Sequence, residues 1–185
     1  MGFQIQDGTG TGNLVGVCER NRLQTASVST PGFLQSNHGE GKAYVWNFPA
    51  YDPTAGDTVM FIRNDSTIPL HIHHVYIYSD TISNATLHVI SNGAATPLGT
   101  DVTGVNLNAT SGNVAEVTAI ENETANTDQG TVLHDEYIAA NSPLTMLKED
   151  GYEIVLGKND CIAVDLDANA GSVYGHIVGY FHDQC

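Results

Sequence analysis

The sequence predicts an all-β protein, a jelly-roll-like β-sandwich with an extended N-terminal arm. Three observations lead to this fold class. Valine and isoleucine contribute 28 residues against 12 leucines, and β-branched side chains pack well on the pleated surface of a sheet. The 19 glycines and 15 asparagines supply the turns that many short strands require. Apolar residues recur in short runs, and good helix formers are scarce.

Residues 1–40 are predicted to form the arm, and residues 41–185 the sandwich domain. Two short strands are expected in the arm, at Leu14–Cys18 and Leu23–Val28. The next segment, Ser29–Gly41, is rich in glycine, serine, asparagine and proline, which predicts a loop.

The sandwich domain shows short apolar segments separated by turn-forming residues, at a spacing of about 8–12 residues. The predicted strands are Lys42–Phe48, Asp57–Arg63, Ile68–Tyr78, Ala85–Ile90, Val102–Leu107, Val114–Ile120, Thr131–Ala139, Leu144–Leu147, Tyr152–Leu156, Cys161–Leu166 and Val173–His182. Proline, glycine, asparagine and aspartate lie between them, as in Asn64–Ser66, Asn141–Pro143 and Gly157–Asp160. The two four-stranded sheets of a jelly roll account for most of this series.

The charge of the chain excludes one class of partner. Six lysines and arginines against 21 aspartates and glutamates give a formal net charge of −15. The stretch between Arg63 and Lys148 contains nine acidic residues and no lysine or arginine. Such a surface repels the phosphates of DNA and RNA, so we expect no nucleic-acid partner.

Membrane and disulfide signals are also missing from the sequence. No segment approaches the roughly 18 apolar residues of a spanning helix, and the N-terminus lacks the basic start and apolar run of a signal peptide. We therefore expect no membrane partner. Cys18, Cys161 and Cys185 are odd in number and widely spaced, which favours ordinary thiols over a disulfide framework.

The segment His71-Ile72-His73-His74 is the strongest candidate for a site. Successive side chains of a regular strand point to opposite faces, so His71 and His73 are expected to share a face with Val75 and Ile77. His74 is then expected on the opposite face, with Ile72 and Tyr76. Imidazoles at this spacing hold a metal ion in cupin-type jelly rolls, together with a nearby glutamate and a further histidine on a later strand.

The rest of that metal-binding pattern is not present. The first carboxylate after His74 belongs to Asp80, and a third ligand would have to come from His88, His134 or His176. We therefore expect no metal and no other cofactor. His71 and His73 are predicted instead to lie at an interface between subunits.

Other catalytic patterns are equally incomplete. The sequence has no G-x-S-x-G motif and no phosphate-binding glycine loop, and the adjacent carboxylates Asp135 and Glu136 would point to opposite faces of a strand. The segment Asp165–Gly171 imitates the start of a calcium loop, but its sixth and twelfth positions are Ala170 and His176 rather than glycine and glutamate. We expect a protein that is not an enzyme and has no catalytic residues.

Several segments together resemble a family of proteins. These segments are Asp7–Gly12, Val15–Val17, Asn21–Thr25, Asp57–Asn64, Leu70–Ile72 and Gly179–His182. In these segments the chain resembles small virion-associated jelly-roll proteins of tailed bacteriophages. The resemblance implies a capsid decoration or cement protein, which is made in the host cytoplasm and binds the outer surface of the phage head.

This resemblance implies two partners, the major capsid protein and further copies of the chain in a homotrimer. The arm is the expected capsid anchor, because Arg20 and Arg22 hold a third of all basic residues and guanidinium groups bind carboxylates bidentately. Leu23, which begins the second arm strand, belongs to the same anchoring segment. The acidic sandwich domain is expected to handle self-association.

Two alternatives remain open at the level of sequence. The protein could be a tail, fibre or vertex module that binds a receptor or glycan by stacking Tyr44, Trp46 and Tyr51 on sugars, although Trp46 also fits a core position. It could also be a cupin-like metal enzyme that uses His71 and His73. Each alternative requires a different exposed surface.

Overall fold

A computed structural model describes residues 32–51, 53, 57–93, 97–124, 130–147 and 153–182. Most of these residues are in strands, which are β1 Ala43–Tyr51, β2 Thr58–Asn64, β3 Leu70–Ser79, β4 Ser83–Ile90, β5 Thr100–Asp101, β6 Val105–Asn106, β7 Val117–Glu123, β8 Thr131–Ile138, β9 Ser142–Leu147, β10 Ile154–Leu156, β11 Cys161–Leu166 and β12 Val173–Phe181. A short α-helix, α1 (Gly32–Leu34), and a π-helix (Gln35–Glu40) precede β1.

The strands form two antiparallel sheets that pack face to face, so the predicted all-β sandwich is confirmed. The first sheet has the order β10-β3-β12-β1-β6, and β9 also pairs with β3. The second sheet has the order β5-β7-β2-β11-β4-β8. The edge strand β8 of the second sheet lies against β9 of the first.

The predicted strands of the sandwich domain all overlap observed strands, and β11 has the predicted bounds. The prediction is wrong for the end of the arm, where residues 32–40 are helical rather than a loop. Gly41 ends this helical segment with a left-handed φ of 60°, and the Lys42 amide donates to the Ser36 carbonyl at 2.8 Å. The predicted arm strands Leu14–Cys18 and Leu23–Val28 lie outside the described residues.

Apolar side chains from both sheets fill the space between them. The largest fully buried members are Trp46, Tyr44, Met60, Ile62, Leu70, Ile72, Ile77, Leu87, Ile138, Leu156 and Ile162. These residues come from the inward-pointing positions of strands in both sheets. Trp46 is 0% exposed, which confirms the core position considered for it.

The central strand β11 differs from its predicted half-buried pattern. Ile162, Val164 and Leu166 face the core as predicted, but the opposite face of β11 is buried as well. That face presents Cys161 and Asp165, both nearly inaccessible to solvent. Burial raises the pKa of the Cys161 thiol to about 12, so this cysteine is an unreactive thiol at neutral pH.

Candidate functional site: an imidazole and tyrosine face on the first sheet

A β-bulge at His73 decides which way the histidine segment points. In the pairing of β3 with β12, His74 lies opposite Val178, but the next partner of β12, Gly179, lies opposite Ile72. One extra residue of β3, His73, is therefore inserted between two paired positions. The alternation of side chains shifts by one residue at that point.

This shift corrects part of the prediction for the histidine segment. His71 and His73 do share the outward face of the first sheet. Val75 and Ile77, predicted on the same face as the two histidines, instead point into the core with Ile72, and all three are 0% exposed. His74 joins His71 and His73 on the outward face, because the bulge places two consecutive side chains on the same side.

The outward face of β3 and β12 is covered by aromatic rings and imidazoles. We call it the imidazole–tyrosine face, and it consists of His71, His73, His74, Tyr76, Tyr78, Tyr174, His176, Tyr180 and His182. The rings stack across the two strands with centroid distances of 4.4 Å for Tyr78–Tyr174, 4.9 Å for Tyr76–His176, 5.3 Å for His74–His176 and 4.9 Å for His71–Tyr180. Such cross-strand stacks stabilise a sheet.

Glu153, just before β10, organises one end of this face. Its carboxylate accepts a hydrogen bond from the Tyr180 hydroxyl at 2.5 Å and lies 3.1 Å from Nδ1 of His71. Nδ1 of His73 lies 3.6 Å from the same carboxylate. One carboxylate thus bonds one imidazole and one phenol, and a second imidazole lies beside it.

The pKa values at this end follow from burial and hydrogen bonding. Burial alone would raise the pKa of Glu153, but the bonds from Tyr180 and His71 and the nearby imidazoles lower it below its ordinary value. The pKa of Tyr180 is raised, chiefly by burial and to a smaller extent by its hydrogen bond to Glu153 and the negative charge of that carboxylate. Glu153 is therefore an ionised acceptor at neutral pH, and Tyr180 a protonated donor.

The end of the arm covers this end of the face. The Phe33 ring stacks on His73 at 4.7 Å with an interplanar angle of 9°, and it contacts Tyr180 edge-on at 5.8 Å. The Ser36 hydroxyl donates to the Phe181 carbonyl at 3.1 Å. The opposite end of the face remains open to solvent, since Tyr174 is 42% exposed.

The histidines considered as a third metal ligand do not join His71 and His73. His88 lies on β4 and His134 on β8, both in the second sheet, while His176 stacks between His74 and Tyr76. Within the part of the chain that the structure describes, no group of three or more histidine, cysteine, aspartate or glutamate side chains could hold a metal ion. Glu153 was missed by the sequence analysis, because nothing in the sequence links it to a strand 82 residues away.

The structure also locates the other predicted site residues. Arg20, Arg22 and Leu23, predicted to anchor the protein, lie outside the described residues. Tyr44 and Trp46 are buried in the core, so the prediction that they stack on sugars is wrong. Their inward position on β1 is fixed by the alternation of the strand against β12.

A second cluster of ionisable groups is buried on the outward side of the second sheet. His88 Nε2 lies 2.9 Å from Asp165 Oδ2, and both side chains are less than one-tenth exposed. Burial lowers the pKa of His88 and raises the pKa of Asp165 to about 6. The Thr58 hydroxyl opposes the shift of Asp165, whereas the charge of Glu123 adds to it.

No protein-family model, curated protein or solved structure matches this chain. Among the described residues, the helices are too short and polar to cross a membrane.

Proposed function

We propose that this protein is a non-enzymatic structural protein of a phage virion, which decorates the outer surface of the capsid and associates with copies of itself. The observation that carries the proposal is the imidazole–tyrosine face. It is rich in stacked aromatic rings and open to solvent at the Tyr174 end. Interface cores are enriched in aromatic residues and depleted in charge, and this face matches both features.

The strand order supports the jelly-roll interpretation on which the resemblance to virion proteins depends. β1 lies beside β12 in the first sheet, and β2 lies beside β11 in the second. The chain crosses from one sheet to the other between β1 and β2, between β2 and β3, and between β3 and β4. Jelly rolls combine two Greek keys in this way.

A homotrimer places three copies of the face around one axis, which suits threefold positions of a capsid. The arm then supplies the contact with the major capsid protein, through Arg20, Arg22 and Leu23. The stacking of Phe33 on His73 supports separate roles for the arm and the sandwich domain, because it fixes the point where the arm leaves that domain.

Copy number in purified particles tests the proposal directly. Quantitative mass spectrometry of virions that contain the protein should give on the order of hundreds of copies per particle, as expected for repeated capsid positions. A dozen copies or fewer would assign the protein to the tail or a vertex and contradict decoration. Light scattering should give a trimer at micromolar concentration, and a monomer would contradict self-association.

A glycan-binding tail or fibre module is the second candidate. Tyr78 and Tyr174 favour it, since their rings stack at 4.4 Å at the solvent-exposed end of the face and could stack on a sugar. A glycan array separates the two candidates. Binding that is lost in Tyr174→Ala would support the glycan module, and an array without binding would support decoration.

A further inference from the structure

The imidazole–tyrosine face has two ends that differ in their surroundings. At the open end, which consists of Tyr78 and Tyr174, the two rings stack on each other and Tyr174 is 42% exposed. At the covered end, which consists of His73 and Tyr180, the Phe33 ring lies on the His73 imidazole and Tyr180 is only 3% exposed. One end therefore presents rings to solvent, and the other already binds a ring.

The position of Phe33 indicates what the covered end accepts. The planes of Phe33 and His73 are 9° apart, so the imidazole offers a flat side to a flat ring. Tyr180 borders the same place, with its ring at 74° to Phe33 and a centroid distance of 5.8 Å. Parallel stacks and edge-to-face contacts are the preferred geometries of aromatic pairs. The covered end is therefore a site for one aromatic side chain.

Phe33 reaches this site from a short segment. It lies in α1, which has three residues and is too short to be stable as an isolated helix. The chain is fixed a few residues later, where the Ser36 hydroxyl donates to the Phe181 carbonyl and the Asn113 side-chain amide donates to the Glu40 carbonyl at 2.9 Å. Beyond the area that it buries, a stacked aromatic pair changes an equilibrium constant only about twofold to tenfold. A competing ring can therefore displace Phe33 while the segment behind it stays attached.

We infer that the open end of one copy of the chain binds the covered end of the next copy and displaces Phe33 there. This inference rests on the proposed self-association through the imidazole–tyrosine face, and it specifies the geometry of that association. Contacts between two different patches are head-to-tail, and they form a closed ring when the rotation between copies closes. Three such contacts give the proposed homotrimer. In each contact, a tyrosine of the open end replaces the Phe33 ring on His73.

Sedimentation equilibrium of the natural chain and of Phe33→Ala tests the displacement. An interface that is only fractionally accessible binds more weakly by that fraction, so removal of the competing ring should tighten each contact about twofold to tenfold. Leu34→Ala is the matched control, because Leu34 is the next residue of α1 and is 42% exposed, and it should leave association unchanged. Unchanged or weaker association of Phe33→Ala, or equal tightening in Leu34→Ala, would overturn the displacement.

A mixture of two variants tests the head-to-tail pairing. Tyr174→Glu places an unpaired charge at the open end only, and His73→Glu places one at the covered end, beside Glu153. Each variant alone should be monomeric, but an equal mixture should form dimers, because one contact between an intact open end and an intact covered end remains. A trimeric His73→Glu variant, or a mixture that stays monomeric, would overturn the pairing of the two ends.

These results are distinguishable from failure of the proposed function. If the natural chain and Phe33→Ala are both monomeric at every concentration, self-association itself is wrong, and the inference is overturned with it. If the natural chain forms a trimer that Phe33→Ala does not tighten, only the inference is overturned. Fluorescence of the single buried Trp46 checks that each variant is folded under the conditions of the measurement.

Discussion

Replacing Asp165 with asparagine should stabilise the protein at neutral and alkaline pH. Asp165 is 5% exposed on the outward side of β11, where burial raises its pKa from 3.8 to about 6. The charges of Glu123 and Asp57 add to this shift, and the Thr58 hydroxyl opposes it. His88 gives no compensating positive charge at pH 8, since burial lowers its pKa.

The magnitude follows from the difference between the folded and unfolded pKa values. A carboxyl with a raised pKa binds its proton more tightly in the folded state, so stability falls as pH rises from about 3.8 through 6. The rise of the pKa from 3.8 to about 6 corresponds to roughly 3 kcal/mol, at about 1.36 kcal/mol for each pH unit. Asp165→Asn removes the ionisation but keeps the shape of the side chain. Relative to the natural chain, the variant should therefore gain up to about 3 kcal/mol between pH 3.5 and pH 8.

Urea unfolding followed by Trp46 fluorescence measures this difference, because the single tryptophan is fully buried. Asp167→Asn is the matched control, because the pKa of Asp167 is lowered in the folded protein whereas that of Asp165 is raised. The amide of Asn84 and the hydroxyl of Ser83 donate to Asp167 and lower its pKa, so this variant should lose stability at neutral pH and recover it in acid. If Asp165→Asn lowers stability at pH 8, Asp165 acts as a favourable ion-pair partner of His88, and the reasoning from burial is refuted.

Three further predictions concern the face and the arm. Tyr180→Phe should cost about 1–3 kcal/mol of stability in thermal unfolding, because the partly buried Glu153 carboxylate loses a hydrogen-bond donor. Tyr174→Phe, at the exposed end of the face, should change the stability by less than about 0.5 kcal/mol. Equal effects of the two variants would contradict the stabilising bond between Tyr180 and Glu153. Burial and the charge of His74 lower the pKa of His176 on this face, so protonating this ring in acid should weaken the trimer in light scattering, and His176→Asn should reduce this pH dependence. Stoichiometric zinc, iron or manganese in the natural protein would instead revive the cupin alternative, and the double variant His71→Asn, His73→Asn should contain no metal. Deleting residues 1–31 should leave a folded trimer that no longer binds particles; undiminished binding would place the anchor in the sandwich domain.

The architecture could be predicted well from the sequence, because strands and turns are encoded by local patterns of apolar and turn-forming residues. The alternation in Cys161–Leu166 and the turn residues around it define β11 to the residue. The core position of Trp46 was predictable for the same reason, since it follows from the alternation of side chains along its strand.

The site was only partly predictable because its decisive features are not local. The bulge at His73 depends on the pairing of β3 with β12, about 100 residues later in the chain, and it reverses the expected side of His74. The contact of Glu153 with His71 depends on another long-range pairing, that of β10 with β3. Burial on both sides of β11 was missed for a similar reason, because alternation in one strand does not reveal what covers its polar side.

The central claim is that the imidazole–tyrosine face is the surface through which copies of the chain associate. Sedimentation equilibrium of the variants Tyr174→Glu and Tyr137→Glu tests this claim most directly. Both tyrosines are exposed, at 42% and 62%, but only Tyr174 belongs to the imidazole–tyrosine face, since Tyr137 lies on β8 of the second sheet. A carboxylate at Tyr174 should convert the trimer to a monomer, since an unpaired charge is strongly unfavourable in a desolvated interface. The same change at Tyr137 should leave the trimer intact. A trimeric Tyr174→Glu variant, or a monomeric Tyr137→Glu variant, would contradict the claim.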